Sequence, residues 1–299
     1  QENTKNFCHD FIESGGGPAA NAAWLLGLWG EEVYYIGHLQ QDLYGQRIID
    51  EFAEAGVDTS QVVFSDDMIT PLASVLVNRL TGSRTIITRK MQTPPSLTYE
   101  QKLKLDDLDE RLIASEEPVT ILIDGHEPEI SEYLIKKLPN ARVVMDGGSL
   151  RASNIKLAAW TDYFVVSEHF ARDYMSYRSL STEAEIKAAL IELNKICRGE
   201  AFITLGEKGC AFLKSGMLQI VPSWLCNAVD TTGAGDVFHG AFTYGVHYSW
   251  HIDNIILFAS LTAAISIEKK GVRESMPDLA VVHHSLNSYE RNLKQYFEE

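Results

Sequence analysis

Apolar residues recur along most of the chain in two alternating patterns, short runs typical of buried strands and longer patterns with helical spacing. The runs lie at 119–123, 142–145, 163–166 and 201–205, and the helical patterns between them lie at 129–137 and 182–196. Strands that alternate with helices predict right-handed crossovers and a parallel sheet covered on both faces. We therefore expect a three-layer α/β fold, formed by 1–299 as a single domain because no linker or internal repeat interrupts the pattern.

The first ninety residues predict a more varied set of elements. Pro18 is tolerated in a first helical turn, so 19–28 is predicted as a helix. A short buried strand over 33–36 and an amphipathic helix over 43–55 follow. Residues 73–80 and 84–89 predict an antiparallel hairpin around a glycine-containing turn. We expect strands within 1–15 and 70–90 to form a small β lid beside the main sheet.

The charge balance restricts the classes of partner. The chain carries 41 acidic and 26 basic side chains, a formal net charge of −15, which repels nucleic acid and anionic membranes. Apolar stretches end well short of the roughly 18 residues of a membrane span, and no leader pattern opens the chain. The four cysteines have no CxxC spacing, which argues against a zinc site or a disulfide framework. We expect a cytoplasmic protein that binds neither nucleic acid nor membrane.

The most informative run in the chain is the heptapeptide D-T-T-G-A-G-D at 230–236, followed by an apolar helical pattern over 234–247. Glycines at a helix start leave backbone N–H groups bare, and with the positive helix end they form a site for an anion such as phosphate. Asp236 stands in the first turn, where a carboxylate beside an anion is unfavourable unless it accepts a proton from an attacking hydroxyl. The run predicts phosphoryl transfer to a hydroxyl. The alternative is an ordinary glycine-rich helix start in which Asp236 only interacts with the helix dipole.

This run resembles the C-terminal signature of the PfkB, or ribokinase-like, sugar kinases. The G-G-G-P-A-A-N segment at 15–21, with Gly37 and D-L-Y-G at 42–45, is similar to the other signature of that family. The resemblance extends from about residue 14 to Pro277. It implies a ribokinase-like fold and an ATP-dependent carbohydrate kinase, with Mg²⁺, that phosphorylates a primary hydroxyl of a sugar or ketose-like molecule. It also supports a homodimer, because a lid-to-lid contact would cover an exposed sheet edge.

The resemblance implies roles for residues at matching positions. Asp236 would be the base, and Gly233, Ala234 and Gly235 would hold the transferring phosphoryl charge. The residues implied to border the sugar are Gly16, Gly17 and Asn21, although Asn21 could also be a helix-surface amide. Arg84, after the hairpin turn, would bind an anionic group of the substrate or be a solvated charge; Lys5 and His126 are similar candidates.

Two further sets of residues match the family at its nucleotide and cation sites. Thr204, Gly206 and Gly209 resemble the T-x-G-x-x-G turn that contacts the nucleotide, a spacing that is also common in ordinary turns. Asp230, Thr232 and Ser275 match positions where relatives hold a monovalent cation such as K⁺, although Asp230 could equally brace its loop.

The chain departs from the family pattern in two places. Relatives carry Asn-x-x-Glu where this chain has Ser167 and Phe170, so Glu168 is the carboxylate that remains near the nucleotide. Mg²⁺ is then expected to be held mainly by ATP phosphates and water. The family's first strand, with its sugar-binding Asp, is expected to be absent before Gly15.

Several other segments are most similar to the ketohexokinase and sulfofructose kinase branch of the family. They include G-S-R-T-I at 82–86 and D-V-F-H-G at 236–240, where His239 is either part of this similarity or a packed helix histidine. A non-catalytic sugar or nucleotide sensor of the same fold, and a nucleoside kinase, remain the alternatives.

Overall fold

The computed structural model describes residues 11–65, 68–77, 84–89 and 95–297. The helices are α1 Pro18–Leu28, α2 Leu43–Glu54, α3 Tyr99–Ser115, α4 Pro128–Lys137, α5 Ala152–Ala158, α6 Glu168–Tyr174, α7 Glu183–Asn194, α8 Ala234–His247, α9 Ile252–Ser266 and α10 Leu279–Phe297. The strands are β1 His38–Leu39, β2 Val63–Phe64, β3 Leu72–Val77, β4 Arg84–Arg89, β5 Thr120–Ile123, β6 Arg142–Gly147, β7 Tyr163–Ser167, β8 Glu200–Thr204, β9 Cys210–Lys214 and β10 Met217–Val221.

The central sheet contains six strands in the order β10-β9-β8-β7-β6-β5. Strands β5 to β8 are parallel, and β9 and β10 add an antiparallel edge. Alternate side chains of these strands face opposite layers, as the period of two requires. One face packs against α1, α8 and α9 through residues such as Val144, Val165 and Phe202. The other packs against α5, α6 and α7 through residues such as Val143, Phe164 and Ala201. The predicted three-layer α/β fold is confirmed.

The carboxyl ends of the parallel strands form one edge of the sheet. Asp124 directly follows β5, Asp146 is the penultimate residue of β6, and Ser167 and Thr204 end β7 and β8. In parallel α/β sheets this edge is where ligands bind, because the loops and helix N-termini that follow the strands collect there.

The lid predicted from the sequence is a separate two-stranded antiparallel sheet of β3 and β4, with Leu72 paired to Arg89 and Val77 to Arg84. The hairpin prediction is confirmed over the described parts of both strands, while its turn at 81–83 lies outside the described residues. Residues 11–15 form no strand. Lid strands predicted within 1–10 lie outside the described residues.

The strand predicted over 33–36 is wrong. Tyr34 makes an isolated parallel bridge to Asp58, flanked by two backbone hydrogen bonds, and the four side chains are only half-buried. The ladder resumes further along the chain, where β1 pairs with β2 over two residues. The apolar run predicted a strand of four residues, but the segment after α2 pairs with it only at Asp58. Among the described residues, no helix is both long and apolar enough to cross a membrane.

Candidate active site

The first turn of α8 carries Asp236 and begins at Gly233, whose φ of 75° and ψ of 0° lie in the left-handed region. A side chain there would be strained, and its Cβ would overlap Val272 Cγ1, so glycine is required. No side chain caps this N-terminus. Ala234 N makes only a long hydrogen bond to Thr231 O, at 3.4 Å, and the positive end of the helix dipole at this N-terminus favours an anion.

Asp236 is joined to α1 by one short hydrogen bond. The Nδ2 of Asn21 donates to Asp236 Oδ2 at 2.6 Å, across 215 residues of sequence. Asn21 is 3% exposed and lies one turn into α1, which begins after Gly17 at φ 104°. The base candidate and the segment that resembles a sugar-binding motif are thus in direct contact.

The surroundings of Asp236 make its carboxylate basic. Burial raises the pKa of Asp236 to about 7, and the negative charges of Asp146 and Asp124 act in the same direction. The Asn21 hydrogen bond and the charge of His239 act in the opposite direction. A carboxylate with a pKa near neutrality can hold a proton taken from a hydroxyl, which is the requirement for a general base at physiological pH.

Asp236 borders a large cleft between the β3–β4 lid and the carboxyl edge of the main sheet. Predicted residues that line this cleft are Gly16, Gly17, Asn21, Asp230, Thr232, Gly233 and Asp236. The lid contributes Ala73, Ser74, Val75, Leu76, Thr85, Ile86 and Thr88. The structure therefore brings the predicted base, the start of α8 and the predicted sugar residues to one side of a cleft that the lid faces.

The family model that describes pfkB family carbohydrate kinases matches residues 1–279. The chain belongs to this family. The prediction that it is a carbohydrate kinase is therefore confirmed.

Two comparisons place this pfkB-family kinase among its relatives. It is 28% identical over 291 residues to a ribokinase of Lactococcus lactis, covering 96% of this chain and 90% of that protein. It is 25% identical over 304 residues to fructokinase-2 of Oryza sativa, covering 93% of this chain and 86% of that protein. The predicted ketohexokinase and sulfofructose kinase branch gains no support, because the relatives found first are ribokinases.

A solved structure shares the fold of this pfkB-family kinase. The Arabidopsis thaliana ribokinase complexed with ribose and ATP matches with a TM-score of 0.74 and 21% identity, over 90% of this chain and 86% of that one.

The predicted nucleotide turn of the pfkB-family kinase joins β8 to β9. Gly206 has φ 60° and Gly209 has φ 99°, and Leu205 N donates to Gly209 O at 2.7 Å, which closes the turn. A Cβ on Gly209 would overlap Val221 O. The turn lies beside the end of β7, where Ser167 pairs with Thr204, so Glu168 lies near it. These residues do not line the cleft around Asp236, and their nucleotide role remains a prediction.

The departure from the family pattern at Ser167 and Phe170 has a structural explanation in this pfkB-family kinase. Ser167 caps α6, since its Oγ accepts from Phe170 N at 3.0 Å and donates to Gly148 O at 2.9 Å. Phe170 is 0% exposed and its ring contacts that of Phe164 edge-on at 5.6 Å. Both positions stabilise the fold, and Glu168 is the carboxylate left at this strand end.

The three predicted cation residues meet where two loops of the kinase adjoin. Asp230 Oδ1 accepts from Thr232 N at 3.0 Å and Thr232 Oγ1 at 2.6 Å, and Oδ2 accepts from Gly271 N at 3.3 Å. Ser275 Oγ donates to the carbonyls of Gly271 and Val272 at 2.8 Å. Asp230 therefore braces the loop, and the clustered carboxylate and carbonyl oxygens are the donor type that suits a hard monovalent cation.

Arg84 forms the first residue of β4, paired with Val77. Binding of an anionic group of the substrate by Arg84 remains a prediction. His126 contacts Asp124, its Nδ1 lying 3.0 Å from Asp124 Oδ2.

Sequence reasoning missed two carboxylates of the site, Asp124 and Asp146. Asp124 Oδ2 accepts from Ala19 N at 3.2 Å and so caps α1, and Asp146 lies behind Asp236. A signal was present, because each aspartate directly ends an apolar run of the strand pattern, in T-I-L-I-D and V-V-M-D. Acidic residues at the ends of consecutive parallel strands meet at one sheet edge.

Proposed function

We propose that the protein transfers the γ-phosphoryl group of ATP to a primary hydroxyl of a sugar, with Asp236 as the base. The observation that carries this proposal is the hydrogen bond between Asn21 and Asp236. It joins the sugar-side motif at the start of α1 to the anion site at the start of α8. The two substrates would meet at that contact.

In the proposed mechanism the acceptor hydroxyl lies beside the Asn21–Asp236 contact and donates to Asp236 Oδ1, the oxygen that Asn21 does not bind. Asp236 takes the hydroxyl proton as the oxygen attacks in line, and the backbone N–H groups of Gly233, Ala234 and Gly235 balance the charge on the transferring group. The positive N-terminal end of α8 adds to this stabilisation. The lid excludes water that would otherwise hydrolyse ATP.

The proposed cofactors are Mg²⁺ and K⁺. Among the described residues there is no group of three or more His, Cys, Asp or Glu side chains arranged to hold a metal, so we place Mg²⁺ on the ATP phosphates and water, with Glu168 nearby. When bound, Mg²⁺ neutralises phosphate charge. Asp230, Thr232 and Ser275, with the carbonyls at Gly271, would hold K⁺ beside the start of α8.

The proposed acceptor class is a pentose or ketose with a free primary hydroxyl. Gly16 and Gly17 have no side chains, so the hydroxyls of a polyol can approach the backbone there. The space beside Gly16 is open, with no atom within 4 Å of where a Cβ would lie. The small apolar and hydroxyl side chains of the lid are compatible with a neutral sugar. The names of the relatives, ribokinase and fructokinase, support the same class.

The test is a panel of pentoses, ketoses and nucleosides incubated with Mg-ATP, with ADP release as the measurement. We expect sugar-dependent ADP release. Release only with nucleosides would make the protein a nucleoside kinase. Thermal stabilisation by sugar without ADP from any acceptor would favour a non-catalytic sensor, a possibility raised by the changed positions Ser167 and Phe170.

We also propose that the lid sheet pairs with that of a second copy. Val75, Leu76, Ile86 and Ile87 are exposed on its two strands. Val75 and Ile86 pair on one face of the sheet, while Leu76 and Ile87 lie on the other. Exposed apolar side chains and unpaired strand edges on a two-stranded sheet are features that association buries. Light scattering at micromolar concentration should give a dimer mass, and a monomer mass would contradict this assembly.

A further inference from the structure

His239 and Asp146 form a buried pair on the core side of Asp236. His239 lies in α8, three residues after Asp236, and Asp146 lies near the end of β6. Their side chains are 3% and 4% exposed, and His239 Nδ1 is 3.1 Å from Asp146 Oδ2. This pair does not line the cleft, so it cannot bind either substrate directly.

Both ring nitrogens of His239 face acceptor atoms. Nδ1 lies 2.6 Å from Gly235 O, and Nε2 lies 3.2 Å from Val165 O. Carbonyl oxygens only accept hydrogen bonds, so a proton on each ring nitrogen would make both contacts attractive. The counter-ion of such an imidazolium would be Asp146, whose Oδ2 lies 3.1 Å from Nδ1.

The same contact reaches the anion site. Gly235 O belongs to the peptide that links Gly235 to Asp236, and His239 holds that oxygen on the core side. In a trans peptide the N–H points opposite to the C=O. The hydrogen bond from His239 therefore fixes the direction of the Asp236 N–H and the backbone position from which the Asp236 side chain extends.

The charges of Asp146 and His239 also change the pKa of Asp236, in opposite directions. The Asp146 charge disfavours ionisation of Asp236, and the His239 charge favours it. The other groups that face these residues are Asp124, which acts on both carboxylates, and Arg151, which acts on Asp146. Gly148 N also donates to Asp146, which favours the ionised form of that carboxylate.

The geometry points to His239 and Asp146 as positioning residues for phosphoryl transfer, which hold the Gly235–Asp236 peptide in place and balance the charge behind the base. This inference rests on the proposed role of Asp236. The purely structural alternative is a histidine that only ties α8 to β7 through Val165.

Removing the charge of Asp146 and removing the charge of His239 should shift the pKa of Asp236 in opposite directions. A histidine that only links α8 to β7 would not produce this pattern. We expect Asp146→Asn to lower the pH at which Asp236 titrates by about one unit, and His239→Gln to raise it by about one unit. The double variant removes both charges and should return the titration close to that of the wild type. Movement of both single variants in the same direction, or no movement, would overturn the inference.

The primary measurement is ¹³C NMR of the aspartate carboxyl carbons across pH 4–9, which needs no substrate. The Asp236 signal is the one that disappears in Asp236→Asn. Asp109→Asn is the matched control, because Asp109 is a buried carboxylate on α3 that does not line the cleft. It should leave the Asp236 titration unchanged.

A second measurement covers the case in which a charge-removing variant does not fold. In the wild-type protein, ¹⁵N shifts of the His239 ring should show both nitrogens protonated at pH 7. A neutral ring would overturn the inference without any variant.

The kinetic measurement separates this inference from the proposed function. The acidic limb of the kcat–pH profile should move with the NMR titration in each variant. A wild-type protein that releases no ADP with any acceptor would refute the proposed function. The NMR titrations would still support or overturn the effect of His239 and Asp146 on Asp236.

Discussion

The helices α1 and α8 begin in similar ways but use their N-termini differently. Each follows a glycine with positive φ and lacks a capping side chain at its N-cap position. At α1, Asp124 reaches across from β5 and accepts the Ala19 N–H. At α8, the carboxylate is Asp236, which belongs to the helix itself and accepts from Asn21.

The pKa values of Asp124 and Asp236 are shifted in opposite directions as a result. Burial raises the pKa of Asp124, but its contacts with His126 and with the N–H groups of His126 and Ala19 outweigh burial and hold the pKa below its ordinary value. At Asp236, burial and the charge of Asp146 outweigh the Asn21 hydrogen bond and the His239 charge, so the pKa rises to about 7. Of these two glycine-led helix starts, the one proposed as the anion site is the one where no carboxylate of another element caps the helix.

The largest effect should come from removing the proposed base. We expect Asp236→Asn to lower kcat by about 10² to 10⁴-fold, the usual contribution of a positioned base, with little change in ATP affinity. Steady-state ADP release and ATP binding measure the two parts. Asp253→Asn is the control, since Asp253 also lies in the first turn of a helix but outside the cleft. Near-normal turnover by Asp236→Asn would remove Asp236 from the mechanism.

The next effect distinguishes two glycines. Gly233→Ala and Gly56→Ala place a side chain at similar φ values, 75° and 72°, which costs roughly 1–3 kcal/mol. Only the Gly233 variant also overlaps Val272, while no atom lies within 4 Å of a Cβ at Gly56. Thermal unfolding should therefore show the larger loss for Gly233→Ala, and equal losses would contradict the close packing described at α8.

A smaller effect is expected from the cap of α1. Asp124→Ala should lower the free energy of unfolding by about 0.5–2 kcal/mol at neutral pH, as for other lost caps. Because the folded pKa of Asp124 is lowered, its stabilisation is complete above the unfolded pKa and is lost as the pH falls through the folded pKa. The melting temperatures of wild type and variant should therefore converge in acid. A difference that persists unchanged to low pH would argue against the ionised cap.

The last effect has the opposite sign with pH. The folded pKa of Asp236 lies near 7, above its unfolded value, so its contribution to stability is complete below the unfolded pKa and is lost as the pH rises towards 7. Without ligands, wild type should lose melting temperature relative to Asp236→Asn between pH 4 and 7. A wild type that gains stability relative to the variant over this range would show that the pKa is not raised.

The sequence predicted the parts of the site that are local in the chain. The alternating pattern is sufficient for the main sheet, and the 230–236 run alone indicates the start of α8 and the base. Asp146 and Asp124 were missed because their roles depend on packing across the sheet edge, with Asp124 lying 105 residues from its partner Ala19. His239 could be seen only as a family-like or packed residue, since its charge depends on carbonyls of two different elements. The helix α3 was also missed, because its many charged residues obscure the apolar spacing.

The aromatic ring at position 170 restricts how this enzyme can change. The family resemblance implies a carboxylate there, whereas Phe170 lies fully buried against Phe164. Phe170→Glu would put an unpaired charge into an apolar layer and should strongly destabilise the fold. A carboxylate could therefore be accepted at this position only together with further substitutions in the layer around it.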